Sequence, residues 1–168
     1  MKRVNWKSNT RFQMLIKSVV FDPSLGKECD LFRQEDSEMK KVSIADLSVG
    51  DLVISYNLEK KEREDVEVID TVEPVRSIKT ITFNISVKGK SLNLTNSHLI
   101  PYYRDDELIV DNSGTIQVGD KLIFLFDDFS ISSESVDSVE EGYSDDEDVY
   151  HPKTTNGYYF INGILIHD

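Results

Sequence analysis

The stretch Ser48-Val49-Gly50-Asp51-Leu52-Val53-Ile54 occurs a second time, in altered form, as Gln117-Val118-Gly119-Asp120-Lys121-Leu122-Ile123. Each copy is a Val-Gly-Asp turn that feeds an apolar strand. Glycine supplies backbone conformations that other residues adopt with difficulty, and the aspartate can accept hydrogen bonds from nearby backbone N–H groups. Two such units in one chain point to a duplicated β-unit whose halves are related by an approximate two-fold axis.

Outward from these turns the chain shows no clean amphipathic helix. Short runs of β-branched and aromatic residues recur instead, broken by turn chemistry. Strands are expected at Lys17–Phe21, Cys29–Gln34, Leu52–Tyr56, Glu67–Val75, Thr80–Val87, Ser91–Thr95, Leu99–Tyr103, Leu108–Val110, Lys121–Phe126, Tyr158–Ile161 and Ile164–His167. Gly89 separates two of these runs, and Asn162-Gly163 separates the last two. Asn-Gly between apolar runs is a strong hairpin signal, because both residues tolerate positive φ. Many short strands at close spacing predict a single all-β domain.

The 168 residues suffice for one domain with a real core. A formal net charge of −12 argues against nucleic-acid or anionic-membrane partners. The apolar runs are too short to span a bilayer, and no secretory signal is visible. The single cysteine, Cys29, excludes an internal disulfide and a cysteine-cluster metal site. A reducing cytoplasm, or the inside of a virion or host cell, is the expected location. Residues 1–17 are basic without an acid and read as a flank to a domain over 18–168. Residues 127–148 hold ten carboxylates and no basic residue, and read as a mobile, solvated loop, at most partly strand-like. Their spacing does not match an EF-hand.

Three stretches resemble the Hint family of inteins and hedgehog autoprocessing domains. They are Val42-Ser43-Ile44-Ala45-Asp46-Leu47 running into the first Gly-Asp turn, Thr95-Asn96-Ser97-His98, and the C-terminus from Tyr158 through Asn162-Gly163 to His167-Asp168. Val149-Tyr150-His151-Pro152-Lys153-Thr154 is similar to the hedgehog-type version of the region before that C-terminus.

The resemblance implies a compact, horseshoe-like fold and a domain that cuts its own backbone. A side-chain nucleophile would attack the preceding carbonyl and turn the amide into an ester or thioester. His98 would protonate the departing nitrogen, with Thr95 beside it. Positions three apart on a strand do not share a face, so this pairing requires a bend near Asn96-Ser97. Ser24-Leu25 lies at the family's distance from the first Gly-Asp turn; Cys29 is the other candidate nucleophile, and Ser18 lies rather far upstream. His167 fits the penultimate histidine that assists asparagine cyclisation. Asp168 departs from the pattern, because an aspartate has no amide nitrogen to attack the next carbonyl.

The partner implied is the domain's own flanking polypeptide, around a monomer needing neither cofactor nor metal. The three histidines are scattered, and no motif asks for zinc. Cholesterol transfer and a homing-endonuclease insertion are not expected, since neither extension nor room for an insertion is present. The other reading is a degenerate, inactive Hint fold kept as a structural or interaction module, which Asp168 and the uncertain nucleophile would fit.

Overall fold

The computed structural model describes residues 29–76, 81–143 and 148–168. The basic flank, the expected strand at Lys17–Phe21 and Ser24 lie outside them. Among the described residues fourteen strands follow one another: β1 (Asp30–Glu35), β2 (Glu38–Ser43), β3 (Leu52–Asn57), β4 (Glu62–Arg76), β5 (Ile81–Val87), β6 (Lys90–Thr95), β7 (Leu99–Arg104), β8 (Glu107–Asn112), β9 (Lys121–Leu125), β10 (Ile131–Ser135), β11 (Ser138–Tyr143), β12 (Asp148–Thr154), β13 (Tyr158–Ile161) and β14 (Ile164–His167). The only helical segments among the described residues are single 3₁₀ turns at Ile44–Asp46 and Ser113–Thr115. No helix among them is long and apolar enough to cross a membrane.

The strands form three antiparallel sheets, ordered β12-β4-β3-β1-β2, β13-β14-β9-β7-β8 with β10 also on β9, and β11-β5-β6. Hairpin chemistry sets the register. Lys88 and Gly89 have φ of 50° and 77°, and Val87 faces Lys90 across them; Asn162 and Gly163 have 49° and 81°. Both central residues are left-handed in each turn, which matches the strand twist. At Gly163 a Cβ would stand 3.0 Å from the Leu125 carbonyl oxygen and the Phe124 ring, so glycine is required there for space as well.

The duplication is a structural fact. The 3₁₀ turns at Ile44–Asp46 and Ser113–Thr115 lead into Gly50 and Gly119, whose φ values are 96° and 94°. Asp51 accepts from the Ser48 amide at 2.8 Å, and Asp120 from the Gln117 amide at 2.7 Å. Gly50 N–H donates to the Val68 carbonyl and Val68 N–H to that of Asp51; Gly119, Val136 and Asp120 repeat the pair. A guanidinium closes each turn. Arg33 reaches Asp51 and the Asp46 carbonyl, while Arg104 grips Asp120 through two nitrogens at 2.8 and 2.7 Å and also holds the Thr115 carbonyl. Arg104 holds the Asp120 carboxyl below the usual carboxylate range, against the opposing effect of burial. The correspondence reaches the residue ahead of each unit's first strand: Ile44 N–H donates to Cys29 O, and Ser113 N–H to His98 O, both at 2.8 Å.

Alternation along the strands divides the core. Val53, Leu122, Ile161, Ile164 and Ile166 enter the main cluster, and Ile54, Ile123, Leu125, Phe160 and Leu165 a smaller one on the opposite face. Strands covered on both faces explain why these runs are continuously apolar.

The acidic stretch, read as a mobile loop or only partly strand-like, carries β10 on β9 and β11 on β5 among its described residues. Backbone pairing there needs no apolar face, and basic groups meet the carboxylates. Lys88 Nζ lies 3.4 Å from Glu134, its amide donates to Asp137, and Lys90 Nζ lies 2.9 Å from Asp127.

Candidate active site

Strand β6 ends at Thr95, and the chain reverses through Asn96-Ser97, with the His98 amide donating to the Thr95 carbonyl at 3.0 Å. The bend that the Thr95/His98 spacing requires is therefore a β-turn. Ser113 Oγ donates to the same carbonyl at 2.6 Å, pinning the turn from the second repeat. Thr95 is fully buried and His98 is 2% exposed.

Strand β14 brings the C-terminus to this turn. His98 Nε2 lies 2.9 Å from the backbone carbonyl oxygen of His167. A carbonyl only accepts, so Nε2 carries a proton, and in the neutral ring Nδ1 is a bare lone pair. Nδ1 is buried and has no hydrogen-bond partner among the described residues. The His98 pKa is pushed down to about 3, chiefly by burial and then by the nearby His151 and His167, with the His167 carbonyl opposing. The ring is therefore neutral near pH 7, with one fixed tautomer.

This has a consequence for stability. An unfolded imidazole takes its proton near pH 6.5, the buried one only near 3. Between those values the unfolded state binds more protons. The stabilisation is complete above about pH 6.5 and falls by about 1.4 kcal/mol per pH unit toward 3. Urea titrations at pH 7 and pH 5 should show the wild type losing about 2 kcal/mol more than His98→Gln over that interval. Equal losses would mean that the ring titrates as if exposed.

The last two residues are fixed on several sides. Asp168 N–H donates to the Gly157 carbonyl at 2.8 Å, and its Oδ2 accepts from the Thr154 amide at 2.8 Å. His167 Nδ1 lies 2.7 Å from the Asp168 backbone oxygen, and its ring packs edge-to-face on Tyr158 with centroids 4.7 Å apart. Thr154 Oγ1 and Ser55 Oγ both donate to the Tyr158 carbonyl, tying this corner to β3.

Of the residues singled out in the sequence, Thr95, His98, His167 and Asp168 meet at one corner. Cys29 is buried in the main core immediately before β1. Tyr159 shares that core, and its hydroxyl is pushed well above the usual phenol range by burial, then by Asp168 and Cys29. Ser24 lies outside the described residues. Two side chains were missed as site residues. His151 follows a bulge in the β12–β4 pairing, has both ring nitrogens shielded from solvent, and acts on His98. A β-bulge re-aims a side chain, a feature no sequence spacing reveals. Tyr159 reads in sequence as one more core aromatic. Among the described residues no group of three or more His, Cys, Asp or Glu side chains is placed to hold a metal ion.

No protein-family model matches the sequence, and no curated protein matches it. Solved structures do. A bacterial intein-like domain from Clostridium thermocellum superposes with a TM-score of 0.68 at 22% identity, over 88% of this chain and 99% of that one. An intein from a hyperthermophile gives 0.75 at 11% identity, over 87% and 99%. A DnaB intein from Synechocystis gives 0.69 at 16%, over 86% and 97%. With strands in this order, a duplicated Gly-Asp turn and a C-terminal hairpin closing on the Thr95–His98 turn, the chain has the intein-like Hint fold.

Proposed function

We propose that this domain cleaves its own backbone at its N-terminal edge by an acyl shift, and that its partner is the polypeptide flanking it. The observation that carries the reading is His98: a buried, neutral imidazole anchored through Nε2, with Nδ1 bare. Such a ring can take the proton from an attacking hydroxyl and pass it to the departing amide nitrogen, so that the C–O bond forms as the C–N bond breaks and one proton is conserved. Ser24 is the favoured nucleophile, and Cys29 the other. Cys29 is packed in the core one residue before β1, which leaves no chain between it and the first strand, whereas Ser24 has that length. At the other edge Asp168 occupies the place of a cyclising residue without an amide nitrogen. The domain is therefore read as cutting on one side and not splicing.

The test is a precursor with the full chain between two stable reporter proteins, followed by intact mass with and without hydroxylamine, which cleaves esters and thioesters. Release of the N-terminal reporter, accelerated by hydroxylamine, is the expected result, and the fragment mass identifies the nucleophile. A folded precursor whose mass stays constant in both conditions would replace this reading with that of an inactive Hint scaffold.

A further inference from the structure

The 3₁₀ turn opens on Ile44 in the first repeated unit and on Ser113 in the second. Both residues are buried, and each donates its amide to the residue ahead of the unit's first strand, Ile44 to the Cys29 carbonyl and Ser113 to that of His98. Their side chains differ in use. Ile44 packs in the main core, whereas Ser113, with no exposed surface, turns its hydroxyl to the Thr95 carbonyl at 2.6 Å. In the first unit the preceding serine, Ser43, caps its own turn by accepting from the Ala45 amide; Asn112, at that place in the second, makes no side-chain capping bond. The second unit therefore directs its hydroxyl at a neighbouring turn and not at its own cap.

Ser113 meets that neighbour at both ends. Its Oγ–H reaches the carbonyl of Thr95, the first residue of the β-turn, and its N–H the carbonyl of His98, the last. Gly114 permits the close approach. A Cβ there would stand 3.0 Å from the Phe83 ring and 3.7 Å from the Asn96 Cβ, while Ala45 at the matching place is exposed. The His98 ring is tied on its other side, through Nε2, to the His167 carbonyl. With the backbone held by one partner and the ring by the other, the direction of Nδ1 is fixed.

We propose, on the basis of the self-processing reading, that Ser113 is a positioning residue: its hydroxyl clamps the Thr95–His98 turn and so keeps the imidazole aligned for proton transfer. Ser113 itself exchanges no proton with the reacting groups. It acts through His98, and a displacement of about 1 Å in such a group can cost about 10²-fold in rate.

The experiment is Ser113→Ala, which removes one oxygen and leaves the Thr95 carbonyl its bond from the His98 amide. Two quantities are read in protein shown to be folded by near-ultraviolet circular dichroism. One is N-terminal release from the two-reporter precursor; the other is solvent exchange of the His98 Nε2 proton, by nitrogen-15-edited NMR of the full chain. The expected result is release slower by about 10–100-fold and exchange faster by about tenfold or more, as local opening of the turn requires. Slower release with wild-type exchange overturns the proposal, because the loss would not pass through His98. Unchanged release from an active precursor overturns it as well. A wild-type precursor that does not cleave ends the self-processing reading instead. The exchange rate then decides the clamp by itself: faster exchange upholds it, and wild-type exchange overturns it.

Discussion

A precursor carrying His98→Ala is expected to keep its N-terminal reporter attached, with the cleavage rate lower by about 10²–10⁴-fold, the range for loss of a positioned acid–base group. The geometry leaves little room for substitution. Uncatalysed, the amide nitrogen is a poor leaving group and the serine hydroxyl a weak nucleophile; both defects are corrected by moving one proton from oxygen to nitrogen. His98 has its Nε2 committed to the His167 carbonyl and its Nδ1 bare, which makes Nδ1 the only ring position able to carry that proton. Alanine also leaves the His167 carbonyl without its donor, so His98→Gln is the necessary companion: its amide N–H can restore that bond but cannot shuttle a proton. Intact mass over hours, with near-ultraviolet circular dichroism to verify folding, distinguishes the roles. Both variants inert and folded is the outcome expected of proton transfer. Cleavage surviving in His98→Gln would reduce the histidine to a strut.

The second large effect lies at the other edge. Asp168→Asn is expected to convert a stable C-terminal junction into one that releases its reporter, by about a hundredfold or more over wild type. The corner already holds this residue by its N–H to Gly157 and its Oδ2 to Thr154, with His167 Nδ1 at the carbonyl that would be attacked. An asparagine keeps an oxygen for Thr154 and adds a nitrogen nucleophile. Cyclisation bonds that nitrogen to the residue's own carbonyl carbon and expels the downstream amine. The released domain then ends in a succinimide, one water lighter than the hydrolysed acid, which mass spectrometry reads directly. An Asp168→Asn precursor that stays intact would mean that His167 does not act on this carbonyl.

The fold was legible where local backbone geometry dictates residue type. Gly50 and Gly119, Gly89, and Asn162-Gly163 all adopt the positive φ that their sequence context implied, and the apolar runs beside them became the doubly covered strands. Strands β2, β10 and β12 escaped because their residues do not alternate by polarity. Glu38–Ser43 lies at a sheet edge, paired to β1 through the backbone, with only Met39 and Val42 packing on the core. β11 escaped in the same way, its glutamates paired only through the backbone to β5. At the candidate site, Thr95, His98, His167 and Asp168 were singled out through stretches that resemble the Hint family, and the fold brings them to one corner. His151 and Tyr159 were not, since one depends on a bulge and the other on a hydroxyl left without a partner.

The repeated frame bears on how such a corner could come about. Cys29 and His98 stand ahead of matching first strands, and each gives its carbonyl to the first amide of the matching 3₁₀ turn. The backbone therefore treats the two positions alike, and whatever distinguishes them chemically resides in two side chains, a thiol and an imidazole. A scaffold made twice offers every post in duplicate; one copy can be retained for holding the fold while the other is released to specialise. Here the imidazole copy met the returning C-terminal strand and the thiol copy went into the main core. Exchanging the two letters would probe how far that division of labour is written in the frame and how far in its occupants.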